Sequence, residues 1–236
     1  MHPVLIFRHS ATEGPGYFTT FLDRHDIPWQ LVRIDAGDAV PDTLNGFSGV
    51  CLMGGPMSVN DDLPWIPPVL ALIRQAVEAD IPVIGHCLGG QLMAKALGGS
   101  VGKNSKKEIG WGDVRVTDAD AARPWLGDPQ APMLAFHWHG ETFSLPPGAT
   151  RILESAYCGN QAYVLNERHI GMQCHVEMTP ELITSWCDNG AAEIAASNSP
   201  GVQSPGVIQS DMAARTMQLH QLADKIYSRW IQGLRQ

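Results

Sequence analysis

The segment Pro82-Val83-Ile84-Gly85-His86-Cys87-Leu88-Gly89-Gly90-Gln91 limits what this chain can fold into more than any other. Residues 82–86 form a short apolar run that reads as a buried strand. Residues 88–97 have helical spacing and stop at Gly98-Gly99. Only Cys87 separates the two, so the chain must turn sharply from strand into helix. Such a turn presses backbone against backbone, and Gly85 and Gly89, each two residues from the cysteine, leave out the side chains that would clash. The pattern is G-x-C-x-G, the cysteine form of the nucleophile elbow, in the strand-then-helix context it requires. The helix starting at Leu88 would aim free N–H groups and the positive end of its dipole at the sulfur. A structural cysteine in a glycine-rich strand–helix turn uses the same residue types, so this segment alone leaves both readings open.

Apolar runs at 4–7, 31–34 and 49–53 read as further buried strands. Helical spacing appears at 16–25, with Phe18, Phe21 and Leu22 on one side, and at 65–79. Strands alternating with helices imply parallel βαβ units and an open sheet covered on both faces. The second half changes character: 114–117, 133–137, 151–157, 162–166 and 170–175 read as shorter strands joined by turns. Helices are expected at 180–189 and at 210–234, the latter packing through Met217, Leu222, Ile226, Trp230 and Leu234. Between them, 197–206 holds Asn198-Ser199-Pro200-Gly201 and Ser204-Pro205-Gly206 and reads as a mobile loop. With no internal repeat or strong boundary, a single domain over residues 1–236 is expected, large enough to bury one substantial core.

A net charge of −8 and the lack of a Lys/Arg-rich run argue against nucleic-acid binding. The longest apolar stretches are too short for a membrane span, and the first residues show no secretory pattern. The five cysteines are scattered without C-x-x-C spacing, which suits reduced thiols and a cytoplasmic location.

A nucleophilic thiol needs a base and a group to orient it. Gly171-Met172-Gln173-Cys174-His175-Val176-Glu177 ends a predicted strand, where alternate residues share a face, so Glu177 can brace His175; a solvent-facing pair fits the spacing equally well. Met53-Gly54-Gly55-Pro56 follows another predicted strand and can present a backbone N–H to an oxyanion, although alone it is only a turn signal. His137 and His139 with nearby Glu141 resemble metal ligands, but no carboxylate or thiol set at zinc spacing accompanies them; no metal and no cofactor is expected. His86 is expected to face sheet packing, and the other four cysteines to be packed thiols. Trp65, Trp111, Trp125, Trp138, Trp186 and Trp230 read as core or lid residues, Trp138 having the best claim on a pocket.

Taken together and in this order, Gly54-Gly55-Pro56-Met57-Ser58-Val59-Asn60-Asp61, Gly85-His86-Cys87-Leu88-Gly89-Gly90-Gln91 and Gln173-Cys174-His175-Val176-Glu177 resemble the class I (triad) glutamine amidotransferases. The likeness is strongest to the glutaminase domain of guanosine-monophosphate synthetase and to free-standing proteins similar to it, and runs from about Val4 to Trp186. Lys107-Glu108-Ile109-Gly110-Trp111 and the segment from Phe136 to Gly148 resemble the free-standing subgroup.

The resemblance implies an α/β three-layer sandwich with a mostly parallel central sheet, the flavodoxin-like fold of that family. It implies that Cys87 attacks the γ-carboxamide of a bound glutamine, that His175 relays protons and that Glu177 orients it. It places the oxyanion hole at the N–H groups of Gly55 and Leu88, and substrate contacts at Gly54, Gln91, His139 and Glu141. The family's usual Phe before the histidine is Cys174 here, and its usual Pro between His and Glu is Val176; neither change removes a catalytic group. About fifty residues follow Trp186, too few for an ammonia-consuming domain. The implied alternatives are ammonia delivery to a separate synthase subunit, hydrolysis of γ-glutamyl peptides or conjugates, and a non-catalytic subunit. A cysteine α/β-hydrolase acting on esters or lactones is disfavoured, because its acid should precede the histidine by many residues.

Overall fold

The computed structural model describes residues 1–128 and 131–235. The first half runs β1 (Val4–Arg8), α1 (Tyr17–Arg24), β2 (Trp29–Arg33), β3 (Gly49–Leu52), α2 (Ile66–Glu78), β4 (Val83–His86) and α3 (Leu88–Ala96). The second runs β5 (Val101–Val116), α4 (Ala119–Leu126), β6 (Met133–Phe143), β7 (Thr150–Ser155), β8 (Ala162–Leu165), β9 (His169–Met172), α5 (Pro180–Asn189), α6 (Ala191–Ala196), β10 (Gly201–Val202), α7 (Pro205–Ile208) and α8 (Met212–Ile231).

Among the described residues ten strands join one sheet in the order β10-β5-β7-β8-β9-β4-β3-β1-β2, with β6 paired to β5. The run from β9 to β2 is parallel, while β8, β7, β5 and β6 are paired antiparallel. Strand alternation divides the core between the two faces. Val4, Ile6, Cys51 and Ile84 pack with α1, α5 and α8, whereas Leu5, Phe7, Val50, Leu52 and Val83 pack with α2 and α3. This is the three-layer α/β arrangement with a mixed, mostly parallel sheet.

Several local readings need correction. Strand β5 spans 16 residues rather than the four at its end: it pairs with β6 at Val101–Lys103 and again from Glu108, and the stretch between, which carries no apolar alternation, is an irregularity in that ladder. Helix α4 escapes a periodicity reading because Pro124 lies inside it; Asp118 caps it by accepting from the Ala121 N–H. Strand β9 stops at Met172, so the expected strand through His175 is broken, and His175 keeps only a single bridge to Phe136. The expected loop at 197–206 is tied down instead. Gly201 and Val202 pair with Glu108 and Ile109, Pro205–Ile208 is a short helix, and the Gln203 amide bridges the Trp111 backbone N–H and C=O at 2.9 and 2.7 Å. Met217, expected to pack, is exposed on α8, whereas Leu222, Ile226 and Trp230 are buried. Among the described residues no helix is long and apolar enough to cross a membrane.

Candidate active site

The carboxyl ends of the parallel strands converge on one pocket, where open α/β sheets place their ligands. Strand β4 delivers Cys87, the segment after β3 delivers Gly54 and Gly55, the segment after β1 delivers His9 and Glu13, and the segment after β9 delivers His175 and Glu177. The pocket encloses about 290 Å³ and is lined by Cys87, Gly55, Gln91, Trp138, Glu141 and Trp186, among others.

Cys87 has φ 50° and ψ −106°, a region that an L-residue occupies only when its surroundings force it. Those surroundings are backbone. A Cβ on Gly85 would come within 2.5 Å of the Gly89 carbonyl carbon, one on Gly89 would collide with the Leu52 carbonyl, and one on Gly90 with that of Met172. The Cys87 N–H donates to the Met172 carbonyl at 2.8 Å, pinning the elbow to β9. The thiol points at the Trp138 carbonyl, 3.8 Å away, and receives the Gln173 side-chain N–H at 3.5 Å. Gln91 in turn donates to Gln173 Oε1 at 3.1 Å. Among the described residues, the N–H groups of Gly55 and Leu88 have no protein acceptor, so both remain available as donors.

His175 and Glu177 meet although they do not share a strand. The bridge to Phe136, with His175 N–H to Phe136 O at 2.8 Å, fixes the backbone, and Nδ1 lies 2.6 Å from Glu177 Oε1. Glu177 Oε2 accepts the Val176 N–H at 2.9 Å, and both side chains are buried. Burial pulls the imidazolium down, but the charges of Glu177 and Cys87 outweigh it and hold His175 well above its ordinary value. Burial likewise pushes Glu177 up, and the opposing His175 charge holds it below the usual carboxylate range. Trp186 packs edge-on against the imidazole, centroids 4.9 Å apart. His175 Nε2 has no hydrogen-bond partner of standard geometry and faces the Cys87 sulfur closely enough to feel its charge.

The expected substrate contacts divide. Gln91 and Glu141 line the pocket, and Gly54 sits against the His175 ring, where a Cβ would come within 3.2 Å of Cε1. His139 lines the pocket as well, although its imidazole is nearly sealed, with 1% of its surface exposed. Its Nδ1 faces the Glu141 carbonyl at 3.0 Å and its Nε2 faces Glu108 Oε2 at 3.1 Å. Glu108 also accepts from Ser155 at 2.8 Å and from Gln161 at 2.8 Å. Burial raises Glu108, but these partners and the nearby His137 outweigh it and hold the carboxyl below its usual range. The carboxylate beside His137 and His139 is therefore Glu108, not Glu141, and one ligand atom from each of the three lies within 4.8 Å of the others. Most of those atoms are already spent on hydrogen bonds, so the set braces the pocket wall.

Three contributors escaped the sequence reading. Gln173 reaches the sulfur, Glu13 enters the pocket, and His9 supports the Gly54-Gly55 turn by stacking on Trp65 and pairing Nδ1 with the Met53 carbonyl at 3.0 Å. Burial lowers His9 to about 4, so it stays neutral. The signal for Gln173 lay two residues before His175; nothing local marked Glu13 or His9. His86, as expected, packs beneath the sheet, its Nε2 3.0 Å from the Tyr227 hydroxyl, and burial raises the thiols of Cys51, Cys158, Cys174 and Cys187.

A strand–elbow–helix cysteine, an imidazole–carboxylate pair two residues apart and a Gly-Gly turn on a mostly parallel sheet define the class I glutamine amidotransferases. The family model for glutamine amidotransferase class-I matches residues 22–194, and the chain belongs to that family. It is 29% identical over 224 residues to the glutamine amidotransferase-like protein YfeJ of Salmonella typhimurium, covering 93% of this chain and 92% of that one. A crystal structure of a glutamine amidotransferase from Methylobacillus flagellatus is 47% identical and superposes with a TM-score of 0.97, covering 100% of this chain and 96% of that one. Over 153 residues the chain is also 30% identical to the glutamine-hydrolysing GMP synthase of Vibrio vulnificus, 64% of this chain and 27% of that one.

Proposed function

We propose that the chain hydrolyses a γ-glutamyl amide through a thioester on Cys87, with His175 as general base and acid and Glu177 as its orienting partner. The observation that carries this reading is the buried His175–Glu177 pair, 2.6 Å apart, whose remaining ring nitrogen faces the elbow cysteine. His175 takes the thiol proton as the sulfur attacks the side-chain carbonyl carbon. The N–H groups of Gly55 and Leu88 receive the oxyanion, as acyl transfer requires. His175 then gives its proton to the departing nitrogen. Water, deprotonated by the same imidazole, attacks the thioester, releasing glutamate and restoring the thiol. Gln91, Glu141 and the backbone of residues 138–141 hold the glutamyl end, with Gly54 keeping the floor beside His175 free of a side chain.

Glutamine is the simplest substrate, and at about 290 Å³ the pocket also has room for γ-glutamyl amides of larger amines. The test offers purified protein glutamine and a panel of γ-glutamyl peptides and amides, with glutamate release measured against Cys87→Ala. A glutamine-mimicking electrophile should label Cys87 alone. A folded protein whose Cys87 resists that reagent and which releases no glutamate from any member is a non-catalytic relative, and the reading fails.

A further inference from the structure

The mechanism above leaves Glu13, an ionisable side chain of the pocket, without a task. Glu13 lines the pocket together with Cys87, and its Oε2 presses on Gly54 from the side where a Cβ would also approach the His175 ring. Among the described residues nothing donates to this carboxylate; the residue's backbone N–H donates to the Ser10 carbonyl at 3.1 Å. Its position is nevertheless fixed. The Trp186 indole donates to the Thr12 carbonyl at 2.7 Å, and the Tyr17 N–H donates to the Glu177 carbonyl at 2.8 Å. Gly16, with φ 50°, approaches that carbonyl so closely that a Cβ would collide with it. The other carboxylate at the far end of the pocket, Glu193, is answered by Lys107 at 2.5 Å and by the Trp138 indole at 2.9 Å. A half-buried carboxylate that faces the pocket without a partner is costly unless a ligand supplies one.

The sheet order says which end of a substrate that ligand group belongs to. Glu13 and Gly54 follow β1 and β3, on one side of β4 and its cysteine. The wall at residues 138–141 and Gln173, which engage the glutamyl end, belong to the opposite side, with β6 and β9. His175 reaches over from that side to Gly54, and its proton must go to the departing nitrogen. A carboxylate pressed against the same glycine therefore stands beside the leaving group.

We propose that Glu13 is a specificity-determining residue that receives a cationic group on the leaving amine, so that the site prefers γ-glutamyl amides of diamines, or of amines carrying a second ammonium, over neutral ones. The inference rests on the amide-hydrolase reading. The reaction stays a hydrolysis: water adds, the C–N bond breaks, glutamate and the amine leave, and Glu13 makes no covalent bond and remains a carboxylate throughout. Burial pushes Glu13 up to about 7, with the His175 charge opposing and the Glu177 charge adding. The preference is therefore full in mildly alkaline solution.

The experiment compares the γ-glutamyl monoamides of 1,4-diaminobutane and of n-butylamine, which share a four-carbon chain and differ by one terminal ammonium. Steady-state kcat/KM is measured for the wild-type protein and for Glu13→Gln, with glutamine as a third substrate. The wild type should favour the diamine amide by about tenfold, the worth of one charge-assisted hydrogen bond, and Glu13→Gln should bring the ratio close to one. In the wild type the ratio should also fall as pH drops below about 7. His175, Glu177 and Cys87, which face the same space, act alike on both substrates, and their effect cancels from the ratio. A wild-type ratio near one, or equal losses on both amides in Glu13→Gln, overturns the proposal; equal losses would mean that Glu13 holds a group common to both, such as the α-ammonium. Turnover of glutamine and of the butylamide with a flat ratio removes this inference alone. No turnover of any of the three removes the amide-hydrolase reading with it. Labelling of Cys87 in Glu13→Gln by the glutamine-mimicking electrophile shows that the variant is folded.

Discussion

Two buried imidazole–carboxylate pairs stand on either side of the pocket, and they are built alike. His175 and Glu177 are 2.6 Å apart, His139 and Glu108 3.1 Å apart, and all four side chains are nearly sealed from solvent. They differ in what the second ring nitrogen meets. His139 spends Nδ1 on the Glu141 carbonyl and Nε2 on Glu108, so no atom is left for chemistry. His175 spends Nδ1 on Glu177 and leaves Nε2 toward the sulfur. Burial and a carboxylate partner are thus common to both histidines, and the free nitrogen is what sets His175 apart. On the proposed function the first pair performs proton transfer, and the second holds the loop against which the substrate would lie.

The sharpest way to break this comparison is to remove each histidine. His175→Ala and Cys87→Ala should each lower kcat for glutamate release by at least roughly 10⁴-fold, as removal of a base or nucleophile does elsewhere. His139→Ala should retain far more activity in the same assay. Comparable losses for the two histidines would mean that the two pairs are not functionally distinct. Next comes Glu177→Gln. The amide keeps the size of the side chain but loses the charge that raises His175, so the loss in kcat should be large yet about a hundredfold smaller than for His175→Ala. Pre-steady-state acylation rates measured for both variants decide the ranking, and the reverse order would give Glu177 another task.

The half of this comparison to which the proposed function gives the chemistry was legible in the sequence because its requirements are local. Gly85, Cys87 and Gly89 fall within five residues, and the need for glycine on both sides follows from the turn itself. His175 and Glu177 were recognisable as a pair, although for a reason that proved inapplicable: the strand ends at Met172, and it is the Phe136 bridge that aligns them. The wall was opaque. Lys103-Asn104-Ser105-Lys106-Lys107 looks like a solvated turn and does interrupt the β5–β6 ladder; only the pairing that resumes at Glu108 carries this carboxylate to within reach of His139. That meeting joins residues 31 positions apart through ladder register, so no periodicity announces it. Glu13 was hidden for the same reason, since its proximity to His175 depends on the packing of the β1 and β9 ends.

A milder substitution sharpens the role of the wall. Glu108→Gln preserves the volume and one acceptor but removes the charge facing His139, Ser155 and Gln161. His139 should then hold Glu141 and Gly140 less firmly, and KM for glutamine should rise by roughly tenfold while kcat changes by less than about threefold. A fall in kcat with KM constant would assign Glu108 to the chemical step and dissolve the contrast between the pairs.

The smallest effect lies one layer further out, where the 197–206 segment is strapped to the back of β5. Gln203 closes two hydrogen bonds on Trp111, at 2.9 and 2.7 Å, with its side chain laid across Gly110, whose φ of 112° makes room for it. Gln203→Ala removes both bonds and leaves a backbone N–H and C=O of Trp111 to find water. At about 1 kcal/mol for each bond the cost is about 2 kcal/mol, which in a chain of this length lowers Tm by roughly 4–8 °C. Because Glu108 stands three residues before Trp111 on the same strand and keeps its own partners, KM should shift less than in Glu108→Gln. A Tm loss with KM nearly constant makes the strap a stabiliser of the wall. A KM shift as large as that of Glu108→Gln would extend the positioning network out to Gln203.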